Sequence, residues 1–305
     1  MTVYNESRWV RTCIDSMLSQ TYPDFRFLIV DDASTDDTRD IIRSYDDSRI
    51  QLVCLEKNVG QTAALNVGLK LVETPWVARM DADDFSAPER LEAEMQVLAD
   101  DPSLSCVGTW AWIFHDDPDV HQGEVVLPED YESILRHLLR SIPIVHGTLV
   151  AKTQALLDVG AYDERYRYAA DMDLYDRFLT KYSAVNLPRK LLGIRHHPGQ
   201  GQRTRRSLEE VIAILSGRLE TGRYSPEEAG IIRTSLSRQL IVLARQSGGI
   251  RHPGEVVSAL ARAFRLSPRT FFWHVFTVFL GYAVPARQRT RLKKAIFKIL
   301  SPAKA

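Results

Sequence analysis

The sequence has little that would mark an oxidised, metal-clustered or membrane-spanning protein. Its three cysteines, Cys13, Cys54 and Cys106, lie far apart with no CxxC or His-rich spacing. That excludes a disulfide framework and a zinc site, and fits reduced thiols in a cytosolic protein. Lysine plus arginine number 39 and so do aspartate plus glutamate, giving no net charge to draw the chain to nucleic acid. No charged-then-apolar leader opens the chain, so a secretory signal is not expected. The segment "TFFWHVFTVFLGYAVP" is shorter than the ~20 residues a spanning helix needs. Acids are absent after Glu255, whereas Arg262, Arg265, Arg269, Arg287, Arg289, Arg291, Lys293, Lys294, Lys298 and Lys304 follow it. This basic, aromatic-rich tail reads either as an interfacial segment held on anionic lipids or as a helix closing a C-terminal bundle.

A chain of 305 residues can bury one large core, or one core with a smaller unit appended. Apolar residues Trp9, Val10, Cys13, Ile14, Met17 and Leu18 recur at helical spacing, and "FRFLIVDD" then reads as a strand ending in two acids. "STDDTRDIIRSY" opens with capping chemistry and becomes a helix. "RIQLVCL" is a strand-like run, "NVGQTAALNVGLKLV" a loop and helix, and "WVARM" a further strand. Alternation of this kind predicts an α/β fold with a doubly wound, mostly parallel sheet flanked by helices. "LSCVGTWAWIF" adds a strand, and from Ser207 onward the pattern is helical. The expected division is residues 1–205 as the α/β domain and 206–305 as a helical C-terminal region.

Two of these strands finish in carboxylates, so Asp31, Asp32, Asp81, Asp83 and Asp84 are expected to gather at the sheet edge where open α/β folds bind ligands. Clustered acids repel unless a cation or a set of donors offsets them, and hard oxygen ligands suit Mg²⁺ or Mn²⁺. Helix capping is the plainer alternative. A calcium loop is a poor fit, because Phe85 and Ser86 occupy its fifth and sixth places and Pro88 its eighth. A second acid cluster, Asp171, Asp173 and Asp176, stands at the start of a helix, and the Gly-rich basic run "LLGIRHHPGQGQRTRR" follows.

"TVYNE", "SQTYPDFRFLIVDDASTDDT", "NVGQTAALNVGL", "WVARMDADDFSAPERL" and "GAYDERYRYAADMDLYDRF" resemble, in order and spacing, the family 2 inverting glycosyltransferases of the GT-A fold. The resemblance covers roughly residues 1–200 and rests on several linked motifs, the DxD among them. It implies a nucleotide-sugar donor, a divalent metal, and transfer to a hydroxyl with inversion at the anomeric carbon.

Carried over residue by residue, Thr2 and Tyr4 match positions that contact the base. Asp32 matches the acid that accepts from a pyrimidine imide, which favours a UDP- or dTDP-sugar. Asp81 matches the ribose position, Asp83 the metal ligand, and Asp171 the general base that makes a weakly nucleophilic hydroxyl attack. Asp84 and Asp173 are expected to be supporting or capping acids. Arg195 and His197 lie in the family's R-x-H loop, Arg195 facing the diphosphate and His197 completing the metal shell as a neutral imidazole. His146 fits a position on the acceptor side, or is a hydrogen-bonded core histidine. Ala170 stands where the family usually carries Glu.

The expected function is polysaccharide synthesis at the cell surface or outside it, with a glycan or lipid-linked acceptor. The expected place is the cytoplasm, with peripheral contact at the inner face of the plasma membrane. A degenerate nucleotide-sugar-binding relative is one alternative. A nucleotidyltransferase is a weaker one, since "TVYNESRW" lacks a Gly-rich phosphate loop. Relatives carry an apolar run before "TVYNE", so the first strand is expected to be truncated at Met1, with a core slot unfilled.

Overall fold

The computed structural model describes residues 1–197, 204–246 and 253–273. Two compact units divide the chain, Met1–Gln202 and Arg203–Ala305. The first begins with three parallel strands, β1 (Thr2–Val3), β2 (Phe27–Asp31) and β3 (Ile50–Cys54), in the order β1-β2-β3. Helices α1 (Val10–Leu18) and α2 (Thr38–Arg43) make the crossovers between them. The apolar spacing read from the sequence places Val10, Cys13, Ile14 and Met17 of α1 in the core with Phe27 and Ile29 of β2. Full burial of each large apolar side chain contributes roughly 1.5–3 kcal/mol.

Helix α3 (Gln61–Leu71) then leads to β4 (Trp76–Ala78), β5 (Phe85–Ser86) and α4 (Arg90–Asp100). The chain continues through β6 (Cys106–Phe114), β7 (Gly123–Val125), α5 (Tyr131–Leu138), β8 (Val150–Lys152), α6 (Thr153–Asp158), α7 (Ala170–Phe178) and β9 (Ala184–Arg195). These later strands form a second sheet in the order β4-β8-β6-β9-β5, with β7 on β6. An isolated parallel bridge from Thr2 to Asp81 joins the two sheets beside the carboxylate loop.

The fold is α/β, as the alternation predicts, with the parallel arrangement confined to β1–β3 and the β6–β9 pair. The pairs β4–β8, β5–β9, β6–β7 and β6–β8 are antiparallel. Strand β7 returns on β6 through a loop without a helical crossover, and such a return is antiparallel. Of these strands, β4, β5, β7 and β8 have only two or three residues each, too few for a visible hydrophobic period. Of the thiols, Cys13 and Cys106 are buried, Cys54 is exposed, and all three are free.

In the second unit, α8 (Arg205–Glu220), α9 (Pro226–Gln246) and α10 (Pro253–Leu266) are helical as expected. The Thr204 hydroxyl caps α8 by accepting from Ser207 N at 3.1 Å. Leu208, Ile212, Ile214 and Leu215 of α8 and Ile232, Leu236, Leu240 and Ile241 of α9 are among the buried apolar residues of this unit. The basic tail expected to meet lipid lies outside the described residues from position 274 onward. Among the described residues no helix is long and apolar enough to cross a membrane.

Candidate active site

The carboxylate loop follows β4. Arg79 and Met80 are buried, and the Arg79 guanidinium forms an ion pair with the Asp81 carboxylate. Asp81 is further fixed through its carbonyl, which accepts from Cys13 Sγ at 3.2 Å. Asp83 turns its Oδ2 to His197 Nε2 at 3.2 Å, so the two residues singled out for a metal are brought together across more than a hundred positions of chain. Asp84 is 3% exposed and accepts from Arg195 N at 2.9 Å, which ties the end of β9 to the loop.

The carboxylates raise one another's proton affinity. Burial, then the charge of Asp81, holds Asp83 above the usual carboxylate range; burial, Asp81 and Asp83 hold Asp84 well above it. Glu6, the last residue of "TVYNE", is pushed up to about 7 by burial, then by the charges of Asp83, Asp36 and Asp81. Acids arranged in this way favour a cation among them. Among the described residues no group of three or more His, Cys, Asp or Glu side chains is set to ligate a metal. One carboxylate and one imidazole still fit Mg²⁺ or Mn²⁺, since such ions take one or two protein donors and complete their shell with water and substrate phosphate.

Asp171 lies in the first turn of α7. Its Oδ1 accepts from Met172 N at 2.7 Å. Its acidity is weakened chiefly by burial, while Arg79 draws its proton affinity down and Asp81 pushes it up. It therefore shares one electrostatic environment with the loop after β4. It is not a helix cap: the N-cap position of α7 is Ala169, which has no side-chain cap. Asp173, expected as a cap, instead accepts from Arg177 at 2.9 and 2.6 Å. Ala170 is buried in the core beside Leu174 and Tyr175. A glutamate there would have to place its charge among apolar side chains.

Two expected ligand contacts meet a different arrangement. Both oxygens of Asp32 accept main-chain hydrogen bonds, from Val59 N at 2.7 Å and Gly60 N at 2.8 Å, and the residue is 3% exposed. Its visible work is to hold the loop before α3, where Gly60 takes φ 90°, a conformation open to glycine. Arg195 is 1% exposed. Its guanidinium donates to the carbonyls of Asp83, His115 and Asp116 at 2.9–3.1 Å and lies 4.2 Å from the Trp9 ring and 4.5 Å from that of Phe114. It braces the segment that carries Asp83. Thr2 is half-buried in β1, and Tyr4 is exposed beside Asn5, whose φ is 55°. His146 is half-buried: its Nε2 lies 2.8 Å from Tyr162 Oη, and burial, then the charge of Arg79, holds its proton affinity well below the usual imidazole range.

Other contributors carry no motif-level label. Trp9 packs its ring 5.7 Å from that of His197. Arg90, fully buried in "SAPERL", donates to Ser86 Oγ at 2.8 Å, Gly147 O at 2.9 Å and Arg79 O at 3.2 Å, knitting the loop from beneath. A Cβ on Gly147 would lie 3.4 Å from Asp84 Oδ2 and 2.6 Å from Leu192 Cδ2, so the backbone approaches the acids because that side chain is absent. Arg79 was visible as the one charge in an apolar run. Glu6, Trp9 and Arg90 had no comparable signal.

The fold, with its acid loop after β4, is of the GT-A type. The structure of residues 1–349 of S. aureus TarS in complex with UDP-GlcNAc superposes with a TM-score of 0.67 at 16% identity, over 99% of this chain and 91% of that one. The model of Glycosyl transferase family 2 matches residues 1–159, over half of the chain, and the chain belongs to that family. Among curated relatives, EpsE of Bacillus subtilis (strain 168), which carries a glycosyltransferase name, is 32% identical over 201 residues, 64% of this chain and 71% of that protein. TuaG of the same organism, named as a teichuronic acid biosynthesis glycosyltransferase, is 37% identical over 97 residues, 31% of this chain and 38% of that protein. Family membership removes the nucleotidyltransferase alternative.

Proposed function

We propose that this glycosyltransferase is metal-dependent and inverting, moving a sugar from a UDP- or dTDP-sugar to a hydroxyl of a glycan or lipid-linked acceptor in surface or extracellular polysaccharide synthesis. The observation that carries the reading is the meeting of Asp83 with His197 at 3.2 Å beside Asp81, with Asp171 in the same field. Catalysis is assigned to residues 1–205. Residues 206–305 are assigned to support, with peripheral contact at the inner face of the plasma membrane through the tail.

Asp83 and His197 would hold Mg²⁺ or Mn²⁺, whose charge offsets that of a leaving diphosphate. Arg195 and Trp9 keep those two side chains facing each other. Thr2 and Tyr4, at the end of β1, border the base and ribose, with the Tyr4 ring open to stacking. Asp32 fixes the 58–60 loop beside them, and each of its oxygens retains a second lone pair for an imide N–H. Asp81, held by Arg79, faces the ribose. Asp171 takes the acceptor hydroxyl's proton as that oxygen attacks the anomeric carbon opposite the departing diphosphate, so the sugar–phosphate bond breaks with inversion. Burial raises the proton affinity of Asp171, which strengthens it as a base.

The teichuronic acid biosynthesis in TuaG's name supports the polysaccharide setting, and the UDP-GlcNAc complex of TarS supports a uridine donor. A thermal-shift screen of UDP-, dTDP-, GDP- and CDP-sugars with Mn²⁺ tests the donor class, because a ligand bound only by the folded state raises its stability. A uridine or thymidine sugar should give the largest shift, and only with metal. A larger shift from a purine sugar would overturn the donor assignment, and full binding with no transfer to any acceptor would favour a binding protein.

A further inference from the structure

A diphosphate arriving at Asp83 and His197 comes from solvent, and the three arginines that hold the acid loop are not free to receive it. Arg79 is buried and paired with Asp81. Arg90 is buried and donates to Ser86 Oγ and to the carbonyls of Gly147 and Arg79. Arg195 is buried too, with its guanidinium on the carbonyls of Asp83, His115 and Asp116. The protein itself engages all three.

Arg8 differs on each count. It is exposed, and among the described residues its guanidinium makes no ion pair and no hydrogen bond. What seats it is the Trp9 ring, whose centroid lies 4.1 Å from the guanidinium carbon. The same ring lies 4.2 Å from the Arg195 guanidinium and 5.7 Å from the ring of His197, which in turn meets Asp83 at 3.2 Å. One aromatic side chain therefore links Arg8 to the proposed metal seat. Stacking biases the long side chain toward one place and leaves its N–H donors unspent. Arg8 and Arg195 also bring two like charges to one ring, a cost that an anion bound there would offset.

The backbone beneath Arg8 is fixed as well. Asn5 N donates to Ser34 Oγ at 3.0 Å, Glu6 N to Thr38 Oγ1 at 2.8 Å and Ser7 N to Asp36 Oδ2 at 3.0 Å. Trp9 N and Val10 N both donate to Glu6 O at 2.9 Å, which closes the turn that enters α1. The loop after β1 is thus latched to the loop after β2, and Arg8 leaves it at a set point.

We propose that Arg8 is a donor-binding residue whose guanidinium forks onto the diphosphate of the nucleotide sugar, the role expected of Arg195. This rests on the reading of Asp83 and His197 as the metal seat. A planar guanidinium matches phosphoryl oxygens and stays charged throughout, so Arg8 holds the departing diphosphate without exchanging a proton. Trp9 is its positioning residue.

The test is calorimetric titration of UDP and, separately, of inorganic pyrophosphate, each with Mg²⁺, into the unsubstituted chain, Arg8→Gln and Arg8→Lys. Arg8→Gln should weaken both ligands by about tenfold or more, the weight of a charge-assisted hydrogen bond. Its Tm should stay within about a degree, because the side chain is exposed. Arg8→Lys keeps the charge but loses the fork, and its affinities should fall between. Affinity should also decline less steeply with salt in Arg8→Gln than in the unsubstituted chain. Equal affinities in Arg8→Gln and the unsubstituted chain would overturn the proposal, and a raised acceptor KM alongside them would give Arg8 to an anionic acceptor instead. If the unsubstituted chain bound neither ligand with Mg²⁺, the metal-seat reading would fall and this proposal with it.

Discussion

The two flanks of β4 are built in opposite ways. At its C-terminal end, Asp81, Asp83 and Asp84 crowd together and are held by Arg79, His197, the Arg195 amide and, from below, Arg90. Along its free edge lies a cavity with apolar walls and main-chain groups turned inward. The polar end is heavily constrained at the cost of concentrated like charge, and the apolar edge has low charge at the cost of packing. Under the proposed function, the first end meets a cation and a diphosphate. The other borders a cavity of about 600 Å³.

The largest expected effect separates chemistry from frame. Asp171→Asn should lower turnover by ~10²–10⁴-fold, the usual weight of a general base, while leaving the melting temperature within a degree or two. Turnover assays and a melt on one preparation check both, and unchanged turnover would remove Asp171 from the mechanism.

Next comes the brace beneath the acids. Arg90→Met should cost ~3–5 kcal/mol in denaturant unfolding, since it strips donors from buried Gly147 and Arg79 carbonyls and from Ser86. A cost under 1 kcal/mol would show that the polar end is less constrained than its hydrogen bonds imply.

A smaller effect reads the like charge itself. Glu6 is raised to about 7 in the folded chain from an ordinary value near 4.5, so between those limits the folded state holds the extra proton. Stability from this group is complete below about pH 4.5 and declines as pH rises to 7. Glu6→Gln should flatten that decline in a Tm-versus-pH series. Mn²⁺ with UDP should move the decline of the unsubstituted chain to lower pH, by offsetting the charge of Asp83. A series with the same slope for both proteins would contradict the crowded-acid picture.

The smallest effect concerns the basic tail. Ending the chain at Trp273 should reduce co-sedimentation with anionic vesicles by a factor within ~10, and only at low salt. Equal binding by both chains would remove the tail from any lipid contact.

The alternation of strand and helix, and the acids at the ends of "FLIV" and "WVARM", were readable because period and residue type carry that information. The pairing of Asp83 with His197 followed from the family resemblance. What stayed hidden was how polar groups are spent. Asp32 and Arg195 have the residue types of ligand contacts, yet the loop at 58–60 and the carbonyls of Asp83, His115 and Asp116 engage them, and partners so distant in sequence leave no local pattern. Strands as short as β5 and β7, with two and three residues, are below the length at which alternation can be seen.

The central claim, that charge capture and proton removal belong to different carboxylates, is tested most directly by calorimetric titration of the donor with Mn²⁺ into the unsubstituted chain, Asp83→Ala and Asp171→Asn. The account predicts metal-dependent binding by the unsubstituted chain, equal affinity in Asp171→Asn, and none in Asp83→Ala. Loss of binding in Asp171→Asn, or its full retention in Asp83→Ala, would contradict it.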